Sequence, residues 1–299
     1  MRMAAGGWGF LGLLSMLWGG TFFFTSLTVN ELPPLTVVFL RVLIAALALF
    51  SYLKILRIKL PFNRPAWIAF FTMGLLNNVV PFSLFFWAQT TIPGGLASIV
   101  NASTPIFSIL IAHMMLKDES FTLSRFVGVS LAFLGVSLLF YDDVNDGFDL
   151  ATLGLLACLL AAVCQGFAVV YGRRFEALGV SSSVSALGQL VGTSIIMFPA
   201  ILVIDRPWSL ETPSYTAFVA LIAMALLSTA LAYLIFFRLL ANVGAVNASL
   251  VTLLIPVSAI FLGAMFLGER LASTDLAGLG LIFLGLLVID GRMLLQSKG

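Results

Sequence analysis

The residues able to do chemistry in this chain are few, and they sit in apolar surroundings. Asn77 and Asn78 fall in one apolar run, Ser98 and Asn101 in the next, and Trp18, Gln165, Thr229, Tyr233 and Thr252 in others. Ser98 and Asn101 are three residues apart and Pro105 follows four later, so on a helix the three share a face. Amides, hydroxyls and aromatic N–H or O–H groups offer hydrogen bonds but neither a nucleophile nor a base. Their chemistry is recognition. In hydrocarbon the same groups also join helices, at about 0.6 kcal/mol per bond. For any one of them the two readings weigh equally; for the set, a lined pathway is preferred.

An intramembrane enzyme needs a nucleophile and base, a metal site or paired carboxylates. The single histidine, His113, stands one turn from Lys117 and reads as solvated or snorkelling. Cys158 and Cys164 share one apolar segment. Six helical residues rise about 9 Å, too far for a disulfide between them, and both read as small core hydrophobes. No Asp or Glu lies deep in an apolar run, and such carboxylates are the usual proton or sodium relays. An enzyme is therefore disfavoured, and so is a carboxylate-coupled pump; exchange or facilitated diffusion is expected. No phosphate-binding Gly loop of the Lys-Ser/Thr type occurs, and no cofactor or metal is expected. Arg41 is the one charge deep in a span. Its burial costs at least about 2.5–3.5 kcal/mol on insertion scales. A structural role, pairing with carbonyls or snorkelling to an interface, is favoured over substrate contact.

The elements that hold these groups follow from composition. Hydrophobic residues are 61% of the chain and charged residues 9%, against about 25% charged in a soluble domain. Only a bilayer hides so much apolar surface. Ten segments are long enough to span: residues 7–24, 34–53, 66–87, 94–116, 124–141, 150–171, 182–204, 214–238, 245–267 and 275–294. With ten spans, one face collects Arg2, Lys54, Arg57, Lys59, Arg64, Lys117, Arg125, Arg173, Arg174, Arg238, Arg292 and Lys298, and the other only Arg206 and Arg270. Positive charge stays inside, so both termini are expected in the cytoplasm. The N-terminal run reads as an uncleaved first span. The net charge of +2 gives no reason to expect nucleic acid as a partner; a small-molecule substrate and the lipid bilayer are the expected partners.

The chain also repeats itself. At an offset of 151, Leu75-Leu76 falls on Leu226-Leu227, Phe85-Phe86 on Phe236-Phe237, Ala97-Ser98 on Ala248-Ser249 and Pro105 on Pro256. At 150, Glu119 meets Glu269, Gly128 meets Gly278 and Phe133-Leu134-Gly135 meets Phe283-Leu284-Gly285. The expected fold is all-α and membrane-integral: ten transmembrane helices as two five-helix repeats, residues 1–141 and 150–299, joined by an acidic external loop at 142–149. Five helices is an odd number, so the second repeat enters from the opposite side. Inverted repeats place substrate at their interface near the bilayer midplane. Pro81, Pro105 and Pro256 break helices there and are the expected hinges. The Gly-rich last span of each half is expected to pack with its counterpart or to form a dimer surface, leaving a monomer or a homodimer.

Trp18-Gly19, Pro34 with Arg41 seven residues on, Pro105, Pro256 and Gly268-Glu269-Arg270 together resemble the drug/metabolite transporter superfamily, in its ten-helix EamA-type branch. The resemblance spans the whole chain. It departs in Leu160-Ala161 where Trp-Gly is usual, in Gln189 opposite Arg41, and in Lys117-Asp118-Glu119 where Gly-Glu-Arg is usual. It implies a central cavity and outward movement of small metabolites across a bacterial inner membrane. Within the branch the chain looks most like YddG-like aromatic amino acid exporters. Phe82, Phe85, Phe86 and Trp87 would suit a ring-bearing zwitterion. Export of purines or drug-like compounds, and a passive channel, are the alternatives.

Overall fold

The computed structural model describes residues 5–115, 123–140, 149–236 and 251–290. Among these, the regular elements are all helical. Helix α1 is Ala5–Thr28 and α2 is Pro34–Ile55. Helix α3 begins at Arg64–Gly74, widens into a π turn at Leu75–Val79 and continues as Val80–Ala88. Helix α4 comes in two pieces, Gly94–Asn101 and Thr104–Met115. Then follow α5 (Leu123–Leu139), α6 (Leu150–Ala177) and α7 (Ser182–Val203). Helix α8 starts as Tyr215–Ala225 and passes through a π turn at Leu226–Leu231. Helix α9 is Val251–Leu262 with a final π turn at Gly263–Leu267, and α10 is Ser273–Asp290.

Seven of these helices are long and apolar enough to cross a membrane. Three shorter apolar helices, Phe126–Leu139, Leu254–Leu267 and Ser273–Ile289, complete the set among the described residues. Large apolar side chains such as Ile55, Phe198, Phe218 and Phe261 point outward, as a lipid environment requires. Lys117-Asp118-Glu119, Arg238, Ala248-Ser249 and most of the acidic connection lie outside the described residues.

Local sequence explains where helices start. Pro34 stands in the first turn of α2, where a missing N–H costs nothing. Asn63 caps α3 by accepting from the Ala66 amide at 2.9 Å. Asp149 caps α6 in a reciprocal box with Thr152. That helix runs to Ala177 rather than ending near Tyr171. Arg174 in its last turn suits the negative end of the helix dipole.

Glycine sets the closest helix contact. A Cβ on Gly128 would lie 2.5 Å from the Gly285 carbonyl oxygen, and one on Gly135 2.6 Å from that of Gly278. The two pairs run in opposite directions along α5 and α10, so these helices cross antiparallel with their backbones touching. The Gly-rich spans thus pack with each other inside one chain. Helices α1 and α9 meet in the same way. Gly19 faces Ser258, and the Ser15 and Ser258 hydroxyls bond to one another.

Candidate functional site

The site begins with two widened turns. Pro81 has no N–H to give to the Asn77 carbonyl, and its ring crowds that oxygen. The turn just before it opens to π geometry, with Asn77 and Asn78 inside it. At the matching place in α8, residue 232 is Ala, so proline is not the cause. There the Thr229 hydroxyl donates back to the Met224 carbonyl five residues earlier, at 3.2 Å. Ser228 and Thr229 occupy that second π turn. Such turns are frequent at functional sites.

Arg41 reaches the second turn from α2. Its Nε donates to Thr229 Oγ1 at 2.8 Å, and its Nη2 to Thr21 Oγ1 of α1 at 3.4 Å. The guanidinium carbon lies 4.3 Å from the Phe82 ring centre and 5.6 Å from that of Phe86. Arg41 is 3% exposed. It therefore neither pairs with carbonyls nor snorkels, contrary to expectation. The physical reason is that its flat cation finds aromatic faces and hydroxyls at its own depth. Its Nη1 is buried with no hydrogen-bond partner.

Around it lies an amide network. Asn77 Nδ2 donates to Gln189 Oε1 of α7 at 2.9 Å, and Tyr233 lies beside Asn77 and Arg41. Asn78 Nδ2 donates to Thr193 Oγ1 at 3.1 Å. Thr193 has one proton, which goes to the Gln189 carbonyl at 2.7 Å. Its hydroxyl must therefore accept from Asn78, which fixes the Asn78 amide. The Asn78 Oδ1 oxygen is left buried without a partner, as is Ser228 Oγ.

The sequence candidates divide accordingly. Arg41, Asn77, Asn78, Thr229 and Tyr233 converge. Trp18 stands one turn from Thr21 and packs on Phe236 at 5.3 Å between ring centres. Asn101 and Gln165 form a second group through Thr104, whose hydroxyl faces Asn101 Oδ1 at 3.4 Å and Gln165 Oε1 at 3.3 Å. Ser98 is fully buried, and its hydroxyl donates to the Gly95 carbonyl within its own helix. The expected continuous face through Ser98, Asn101 and Pro105 is interrupted. The chain turns at Ala102-Ser103, and Pro105 opens the next segment. Pro256 lies inside α9, and Thr252 is half-buried near its first described residue. Thr21, Gln189 and Thr193 were not among the sequence candidates. Only Gln189, as the residue aligned with Arg41, carried a signal.

Carboxylates fasten the ends of the helices. Glu31 accepts from the Ser214 amide at 2.6 Å and its hydroxyl at 2.7 Å, at the start of α8. Asp205 accepts from the Thr36 amide and hydroxyl at the start of α2, at 2.7 and 2.6 Å. Glu269 accepts from the Gly94 and Gly95 amides at the start of α4, both at 3.0 Å. Each puts an anion on a helix's positive end. The Ser214 amide holds the Glu31 carboxyl below its ordinary value, and the Thr152 amide does the same for Asp149. A groove of about 600 Å³ opens beside the Asp205 contact, between α2 and α8. Its walls, including Leu40, Ile44, Phe218 and Leu221, are mostly apolar. Polar groups converge instead at Arg41, which makes that cluster the candidate recognition site.

The EamA-like transporter family model matches the chain twice, over residues 7–141 and 152–290. The chain belongs to the EamA-like transporter family. It is a multi-pass membrane transporter of that family. It is 26% identical to the uncharacterized transporter YoaV of Bacillus subtilis, over 85% of this chain and 86% of that protein. It is 27% identical to the uncharacterized inner membrane transporter YedA of Escherichia coli K12, over 85% and 81%. A probable amino-acid metabolite efflux pump of the same organism is 27% identical over 82% and 81%. A solved crystal structure shares the fold, with a TM-score of 0.67 over 95% of this chain and 96% of that one, at 18% identity. In this EamA-like chain, the Trp18-Gly19 pair seats α1 against α8 and α9, and Glu269 ties α9 to α4.

Proposed function

We propose that this protein exports small metabolites, amino acids foremost and aromatic ones among them, across a bacterial inner membrane. It does so by alternating access of two inverted five-helix halves, with both termini cytoplasmic. One observation carries the reading. The bonds Arg41–Thr229, Asn77–Gln189 and Asn78–Thr193 each join a residue before the acidic connection to one after it. A rocking motion of the halves breaks these bonds and exposes their groups, which is what a carrier's binding site must do. The π turns at Leu75–Val79 and Leu226–Leu231, 151 residues apart at their first residues, support the repeat, as does the double family match. The name of the efflux pump relative supports amino acids as cargo. Arg41 is the sole charged group in the described cluster, and no buried carboxylate there relays protons, so the transport is exchange or facilitated diffusion.

The test is uptake of labelled phenylalanine, tryptophan, threonine and a purine into proteoliposomes, with and without a pH gradient. Saturable aromatic uptake that persists without the gradient is expected. Uptake of the purine alone would refute the amino acid assignment, and flux that vanishes without a gradient would refute the uncoupled mechanism.

A further inference from the structure

The unpartnered atoms at Arg41 extend the export proposal to the chemistry of the cargo, and their assignment rests on that proposal. Four buried polar atoms among the described residues have no partner; three of them, Arg41 Nη1, Asn78 Oδ1 and Ser228 Oγ, belong to the cluster, and the fourth is Ser83 Oγ, next to Phe82. They are not scattered. Ser228 adjoins Thr229, which accepts from Arg41 Nε. Gly20, beside the Thr21 that Nη2 approaches, faces Ser228 Oγ: a Cβ there would lie 3.7 Å from it. Asn78 is one turn before Phe82, the ring beneath the guanidinium. Buried polar groups are normally paired, and exceptions in a native fold call for an explanation such as a missing ligand.

Two of the three have complementary chemistry. Nη1 is a charged donor. Among the described residues, Arg41's partners are hydroxyls and rings, and none is a carboxylate. A cation held this way still lacks an anion in a medium that screens poorly. Asn78 Oδ1 is fixed as an acceptor by Thr193, and it is fully buried. A donor cation against the Phe82 ring and an orphan acceptor one turn before that ring are complementary to the two charges of a zwitterion. We propose that Arg41 Nη1 anchors the carboxylate of the carried substrate and that Asn78 Oδ1 receives its ammonium group. The cargo is then an α-amino acid rather than an amine, a neutral base or a drug-like cation. The rings of Phe82 and Phe86 are already stacked, at 6.0 Å between centres, and give the side chain an aromatic wall.

The experiment uses the purified full chain in detergent and reads its melting temperature against four compounds. Phenylalanine carries both charges, 3-phenylpropionate only the carboxylate, phenylalaninamide and phenethylamine only the amine. Both carboxylates raise the melting temperature, phenylalanine more than 3-phenylpropionate, and the two amines do not. In Arg41→Gln the carboxylate response is lost; in Arg41→Lys it moves to higher concentration, because one ammonium replaces a planar fork. Should Arg41→Gln fail to fold, the comparison of acid with amide on the unaltered protein still decides. Amines that stabilise as strongly as the acids would overturn the proposal. So would a protein indifferent to carboxylates, or an Arg41→Gln variant that responds like the parent. Equal stabilisation by 3-phenylpropionate and phenylalanine would remove the Asn78 role and make the cargo a plain organic acid. The uptake assay separates the two readings. Carboxylate binding without phenylalanine uptake sinks the aromatic exporter and leaves the anchor; uptake of phenethylamine equal to phenylalanine does the reverse.

Discussion

At the scale of single residues, the site is held by hydroxyls that look ordinary in the sequence. Thr229 gives Arg41 its shortest hydrogen bond, at 2.8 Å. Thr229→Val keeps the shape and removes that acceptor from a buried cation. Hydrogen bonds to charged groups are worth about 1.5–3 kcal/mol, so a loss of that order is expected in denaturant unfolding followed by tryptophan fluorescence. Asn77 bonds Gln189 across the halves, with Tyr233 beside it. Asn77→Ala and Tyr233→Phe should each slow phenylalanine uptake while leaving the folded yield intact, and unchanged flux in both would place the substrate elsewhere. Arg41 was legible at once, since a lone charge in an apolar run stands out. Its partners were not. Thr21 and Thr193 are unremarkable in an apolar run, and only the fold brings them to a guanidinium and an amide from helices far along the chain.

At the scale of elements, two features make sharp predictions. The first is the crossing of α5 and α10, whose glycines leave no room for a side chain. Gly128→Ala puts a Cβ 2.5 Å from the Gly285 carbonyl oxygen, and the helices must part. Overpacking of this kind costs about 1–3 kcal/mol. Gly280→Ala lies on α10 with open space around its Cβ and should leave the melting temperature unchanged or slightly raised, since alanine favours helix by up to about 1 kcal/mol. Equal effects of the two would refute the close crossing. The second is the Glu31 contact at the start of α8. Its carboxyl is held below the ordinary value of 4.5 by the Ser214 amide. A lowered carboxyl stabilises the fold above the unfolded value and loses that contribution as pH falls through the folded one. Glu31→Gln should therefore be less stable than the parent at pH 7, and the gap should close as pH falls below about 4.5. The gap being the same at both pH values would mean that the carboxylate's charge is not what matters. The sequence showed these helices and most of their boundaries, because apolar runs between turn residues are long and unbroken. It did not show the π turns. Of the two in the site, one follows from Pro81, and the other depends on where the Thr229 hydroxyl turns.

At the scale of the whole molecule, the spans were plain from hydropathy and the family from a handful of spaced motifs, whereas the contacts between halves were invisible. No local signal says that Asp205 will reach Thr36 or that Glu31 will reach Ser214. Both bonds close one end of the bundle, the end that faces outside in the proposed orientation. Both also join a residue before the acidic connection to one after it, as the Arg41 cluster does at depth. If export requires the halves to part at this end, these bonds must break in each cycle. A covalent tie in their place should then stop the cycle without unfolding the protein. The variant Glu31→Cys with Ser214→Cys, in a Cys158→Ala, Cys164→Ala background, provides it once a short bifunctional methanethiosulfonate links the two thiols, since the linker supplies the length that a Glu side chain has and a Cys lacks. Cross-linking should abolish phenylalanine exchange in proteoliposomes, and reduction should restore it, while each single cysteine variant is insensitive to both. Exchange that continues at full rate with the link formed would mean that this end stays shut throughout, and that substrate leaves by some route other than the parting of α2 and α8.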